Sequence, residues 1–198
     1  MNVLKYIWYY FKHAGTILVI NFLFGITMFL VFAIKTIVLR NVIVFAMLAA
    51  LFVLDFFIMR STGEQDFAMR VVGDAKRKNK PTGKPEGKST HHVSKEYKVY
   101  KGFIIGLIVI LPGVLLTLIA ELTGSAGVLL AQMVAFGWQC FPVRAISVNA
   151  NLFFSFIVMV LSVAIIGFSY IIGGEKGRLQ HYILLKKTNA ISEMEKNK

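Results

Sequence analysis

Apolar residues run almost unbroken through four stretches of the chain, 16–39, 42–59, 103–122 and 152–172. Each is close to the 20 or so residues that a helix needs to cross a hydrocarbon core. Strands are excluded, because lipid offers backbone groups no partner and an open sheet would expose its edges. The alternating ten-residue pattern of an outer-membrane barrel is also absent. Between the first two stretches the only punctuation is Arg40-Asn41, which predicts a tight hairpin over 16–60 with Lys35 snorkelling to the same surface. The remaining pieces are a polar loop at 61–102, span three at 103–122, a segment at 123–151, span four at 152–174 and a tail at 175–198.

Composition agrees with the pattern. Of 198 residues, 57% are hydrophobic and 16% charged, where a soluble domain carries about 25% charge. A soluble enzyme and a disordered chain are therefore excluded, and one cysteine excludes a disulfide scaffold. The expected fold is an all-α integral membrane protein with four transmembrane helices in a small bundle.

Charge sets the expected orientation. With the amino terminus inside, 19 of the 22 Lys and Arg residues face the cytoplasm, and only Lys35, Arg40 and Arg144 do not. This positive-inside bias places both termini and the basic loop in the cytoplasm. An uncharged stretch at 124–142 competes for the role of a fifth span, but it would send six basic residues of the tail outside. It is read instead as a re-entrant or interfacial helix on the outer side. The opening, MNVLKYIWYYFKHAG, lacks a small-residue cleavage site. Residues 1–15, with five aromatics between Lys5 and Lys12, are expected to form an interfacial helix rather than a cleaved signal.

Small residues mark the expected packing faces. At 100° per residue, Gly102, Gly106, Gly113, Thr117 and Ala120 share one narrow face of span three. Ser155, Ser162, Ser169 and Gly173 do the same on span four. In lipid, such faces let backbones approach and hydroxyls bond across helices. The first expectation is packing of spans three and four within one subunit; a homo-oligomer or partner contact is the alternative. Pro112-Gly113 should kink span three.

Chemistry is sparse. Cys140 has no histidine near it in sequence, and His13, His91, His92 and His181 all fall on the opposite side. The His91-His92 pair points two ways and lacks a third ligand. Phosphate loops, paired catalytic carboxylates and CxxC pairs are missing. No catalytic residue, metal site or cofactor is expected. Asp55 is the one acid inside an apolar run, and intramembrane carboxylates are functional candidates. Its place four residues before Met59 puts it near the inner boundary, with Asn21 and Glu121 at other depths as the remaining members of a candidate polar site. In the loop, Ser61-x-x-Glu64 and Thr62-x-x-Gln65 fit a capping box opening a short helix to about Ala75. The basic run after it, beginning Lys76, Arg77, Lys78 and Lys80, suits anionic lipid headgroups rather than nucleic acid.

The function expected is a non-enzymatic multi-pass subunit of a cell membrane, of the bacterial cytoplasmic type. It would act through helix–helix and partner contacts, as an accessory component of a transport or secretion assembly. Its partners would be the bilayer and other membrane subunits or further copies of itself. The alternative is a small transporter or channel using Asp55 in an ion or substrate path.

Overall fold

The structure, a computed structural model, describes residues 3–78, 96–146 and 154–196. Among the described residues there are six α-helices and no strand. They are α1 (Val3–Val31), α2 (Ile37–Lys78), α3 (Lys101–Thr123), α4 (Ala126–Ala135), α5 (Gly137–Ile146) and α6 (Ser155–Lys196). Four of them, α1, α2, α3 and α6, are long and apolar enough to cross a membrane.

Contacts fix the directions of these four. Tyr9 of α1 and Lys101 of α3 both meet Asp66, in the second half of α2. Tyr170 of α6 reaches the same carboxylate. Gly102 faces Gly167 and Tyr170, and Gly106 faces Val163, so α3 and α6 are antiparallel. Arg60 lies against Gly173 and Glu64 meets Lys176, so α2 and α6 run parallel. The bundle is therefore up-down-up-down, with the start of α1 and the ends of α2 and α6 at one end. That end also holds Lys101, and it is called the basic end below.

The bundle is apolar outside, and inside it polar side chains are buried among apolar ones such as Ile17, Met59 and Ile166. Leu23, Leu30, Val53, Phe57, Leu107, Leu115, Val160 and Phe168 are all exposed, while Asn21, Asp55, Thr117, Gln139, Ser162 and Ser169 are buried. A water-facing bundle covers its outside with polar and charged side chains instead. Lipid as the solvent accounts for it, because apolar side chains gain nothing there by leaving the surface.

The small face of span three meets span four inside this chain at its basic half. A Cβ on Gly106 would lie 3.1 Å from the Val163 Cα, and one on Gly102 would lie 2.6 Å from the Tyr170 Cβ. Further along, Gly113 and Thr117 meet α5 and α4 instead of α6. Helix α3 runs through Pro112 without a break and ends at Gly124, whose φ of 61° is the left-handed conformation that favours glycine.

Several boundaries differ from those expected. The hairpin turn falls at 32–36, not at Arg40-Asn41. The Arg40 guanidinium lies 4.4 Å above the Phe32 ring, and Asn41 Nδ2 donates to the Ala145 carbonyl at 2.7 Å. Both polar residues thus find partners within the first turns of α2. Residues 3–15 form no separate helix but are the first half of α1. Ser61 and Thr62 cap nothing, since α2 is continuous through them for 42 residues. Thr62 Oγ1 instead donates back to the Ile58 carbonyl at 3.0 Å. No Pro interrupts this stretch, and its buried positions continue at Met59, Thr62, Gly63, Asp66 and Gly73.

The segment at 124–142 forms no single helix. Helices α4 and α5 meet at a 102° bend, and Pro142, expected to end the segment, lies inside α5. At the bend the chain presses on α1: a Cβ on Gly25 would lie 2.8 Å from the Ala135 carbonyl oxygen. Both ends of the pair lie at the far end of the bundle. Ala126 follows the end of α3 after two residues, and Ala145 meets Asn41 near the α1–α2 turn.

Candidate functional site

Besides the buried Thr117–Gln132 pair, two sets of polar side chains inside the bundle differ in whether their atoms have partners among the described residues.

The first is a knot at the basic end. Asp66 is 4% exposed and Lys101 is fully buried. Lys101 Nζ is 3.3 Å from Asp66 Oδ2 and 4.3 Å from the centre of the Tyr9 ring. The Tyr170 hydroxyl donates to the same Oδ2 at 2.7 Å, and the Tyr9 hydroxyl donates to it as well. One carboxylate thus ties α1, α2, α3 and α6 together. Two ions removed from water need such a set of donors, because the desolvation cost amounts to several kcal/mol per ion. Tyr97 closes the knot from outside the bundle: its ring stacks on Tyr170 at 5.3 Å, and its N–H donates to the Asp66 carbonyl at 3.0 Å. Burial, with the Glu175 carboxylate adding to it, holds the Tyr97 phenol above its ordinary range, so it is neutral at physiological pH.

The sequence reading missed this knot. Its one legible signal was the register of α2. Asp66 follows Asp55 by eleven residues, which is 20° of rotation at 100° per residue, so both acids share a face. Which groups would meet Asp66 was not readable, because Tyr9, Lys101 and Tyr170 come from three other helices.

The second grouping is a set of unpartnered polar atoms between the knot and the far end. Asn21 Oδ1 and Nδ2, both Asp55 oxygens, Gln139 Oε1 and Nε2, and Ser162 Oγ are buried without a hydrogen-bond partner among the described residues. Counting from the knot at about 1.5 Å per helical residue, Asn21 lies about 18 Å above Tyr9 and Asp55 about 17 Å above Asp66. By the same count, Gly113 lies about 18 Å above Lys101, and the Gln139 amide occupies the space over it. Ser162 lies about 12 Å above Tyr170 on this scale.

The apolar core divides over this stretch. One cluster, nearer the basic end, contains Ile17, Met59, Val109 and Ile166. The other contains Met28, Leu51, Ile110 and Met159. Asn21 falls between Ile17 and Met28 on α1, Asp55 between Met59 and Leu51 on α2, and Ser162 between Ile166 and Met159 on α6.

Asp55 therefore sits at mid-height of the bundle, not at its basic boundary, because the helix continues well past Met59. It is level with Asn21, contrary to expectation. Glu121 stays apart, eight residues beyond Gly113 on α3 and so about 12 Å further toward the far end. Cys140 is buried in the far cluster. Among the described residues, no group of three or more His, Cys, Asp or Glu side chains could hold a metal ion. The side chains of Lys76, Arg77 and Lys78, together with Lys80 and the His91-His92 pair, lie outside the described residues.

No family model, no curated protein and no solved structure matches the chain. What the fold itself defines is an all-helical protein with four membrane-compatible helices.

Proposed function

We propose that this chain is a non-enzymatic multi-pass subunit of a cell membrane that works by holding other subunits of a transport or secretion assembly. In this reading the start of α1, the end of α2 with the basic segment after it, and the end of α6 face the cytoplasm. The basic residues favour that orientation, and the run from Lys76 holds anionic headgroups. The α4–α5 pair is then a re-entrant element entering from the outer side, which accords with both of its ends lying at the far end of the bundle.

The observation that carries this reading is the part of α6 beyond the knot. Thr188 lies 18 residues past Tyr170, about 27 Å along the helix. In this stretch Leu179, Tyr182, Ile183, Leu184 and Leu185 are exposed by 45–65%. Helix α2 accompanies its first turns, joined by the Lys176–Glu64 ion pair at 2.8 Å. Twenty residues of α6 from Ser155 already cover about 30 Å, the thickness of a hydrocarbon core, so in this reading the stretch projects past the lipid, where such an apolar surface belongs to an interface. Leu184→Asp should abolish co-purification of partner subunits in mild detergent while leaving the melting temperature within about 2 °C of wild type. Partners retained at wild-type yield by Leu184→Asp would remove the support for this reading.

The alternative, a small transporter or channel, is favoured by Asp55 and Asn21, buried without partners among the described residues. It ranks second because apolar clusters lie toward each end of the bundle.

A further inference from the structure

Helices α2 and α6 continue together past the knot as a two-helix arm. We infer that the partner of this arm is an acidic amphipathic helix, seated in the groove between α2 and α6 with its carboxylates against Lys187 and its neighbour Lys186. The inference rests on the partner reading above and adds to it the chemistry of the partner.

The shape of the groove comes first. The two helices touch where a Cβ on Gly177 would lie 3.0 Å from the Phe67 Cβ. Beside that contact is a cleft of about 600 Å³, walled by Gln65, Ala68 and Val72 on α2 and by Gly177, Gln180 and Leu184 on α6. Both walls step by three and then four residues, so the cleft runs straight along the arm for about 11 Å. A third helix packs its own i, i+3 and i+4 side chains into a groove of this form. Toward the tip of the arm Val72 and Leu184 are 45% and 62% exposed, so the occupant must bring apolar anchors.

Charge then selects the occupant. Outside the knot each described carboxylate of the arm already has a base. Glu64 has Lys176 at 2.8 Å, Glu175 has Arg178 at 2.7 Å and Asp74 has Arg70 at 4.0 Å. Lys186 and Lys187 are exposed, and no acid lies three or four residues from either along α6. Lys187 follows Leu184 by three residues and so continues the α6 wall of the groove. A carboxylate-bearing surface is the complement of such a rim.

The other occupants fit less well. The segment at 79–95 has four lysines against one glutamate, and Val93 is its one aliphatic residue apart from proline. It can neither fill an apolar groove nor pair with these lysines. A second copy of the chain brings the same surplus of basic residues to the contact. Lipid falls short, because Leu184 lies 29 residues after Ser155, about 44 Å along α6 and past a core of about 30 Å.

The test uses the full chain, purified in mild detergent with the subunits it retains. A carbodiimide joins a lysine amine directly to a carboxylate, whereas a bis-succinimidyl reagent joins two amines. Carbodiimide treatment and peptide mapping should link Lys186 or Lys187 to Asp or Glu of a partner chain, in a segment with apolar residues at helical spacing. Lys186→Glu with Lys187→Glu should cut the partner yield about tenfold or more, by setting like charges together. Lys186→Arg with Lys187→Arg should keep the yield and lose the link. Both pairs should melt within about 2 °C of wild type, since surface substitutions perturb stability little. Wild-type yield in the charge-reversed pair overturns the inference. So do carbodiimide links confined to this chain, or partner links formed only by the amine–amine reagent. Loss of bound anionic lipid alone in the charge-reversed pair would assign the groove to headgroups and overturn it as well. Leu184→Asp separates the two readings. If it releases the partners while the charge-reversed pair holds them, the groove is an interface whose occupant is not acidic. If both variants hold them, the partner reading falls too.

Discussion

Asp66→Ala should lower stability by about 3–5 kcal/mol, because it removes the carboxylate 3.3 Å from the buried Lys101 ammonium. Two tyrosine hydroxyls lose their acceptor in the same step. The loss should appear as a drop in the detergent melting temperature together with loosening of all four helices at the basic end. The informative comparison is the double variant Asp66→Ala with Lys101→Met. Removing both charges takes away the uncompensated ion, so the double variant should be more stable than Asp66→Ala alone. If the double variant is the weaker of the two, Lys101 is stabilised by neighbours other than Asp66, the Tyr9 ring among them.

The second large effect is steric. Helices α2 and α6 touch backbone to backbone at Gly63 and Gly173. A Cβ at Gly63 would fall on the Tyr170 carbonyl oxygen, and one at Gly173 would fall on the Arg60 carbonyl oxygen. Backbone cannot move aside as a flexible side-chain tip can, so even alanine overpacks the contact. Gly63→Ala and Gly173→Ala should each cost about 2–3 kcal/mol. Gly15 is the control, since a Cβ there meets nothing within 4 Å. Gly15→Ala should be neutral or stabilising by up to about 1 kcal/mol, because alanine is the better helix former. Thermal unfolding of the three variants in one detergent checks the order. A Gly15→Ala loss as large as that of Gly63→Ala would show that the α2–α6 contact is looser than described.

The four long helices were legible because lipid imposes a simple requirement: about 20 apolar residues with internally satisfied backbone. The small face of α3 was legible for the same reason, at least as far as Gly106. Where charge was taken as punctuation, the reading failed. Arg40-Asn41 looked like a turn and Ser61-Thr62 like a cap, yet both are helical, because Phe32 and Ala145 meet the first pair and Thr62 bonds back to Ile58 of its own helix. The same habit placed Asp55 near a boundary. Its true height follows only from the Tyr9–Asp66 tie, a contact between residues 57 apart in sequence.

The account rests most heavily on which side of the membrane the end of α6 occupies, since the partner surface and the basic loop both lie there. Cysteine accessibility in intact cells measures this directly, in a Cys140→Ser background. Thr123→Cys, at the end of α3, should react with a membrane-impermeant thiol reagent added from outside. Thr188→Cys, on the exposed stretch of α6, should react only after the membrane is permeabilised. Labelling of Thr188→Cys in intact cells would contradict the account, because it would place the α6 surface outside and require either a fifth crossing at α4–α5 or an inverted bundle.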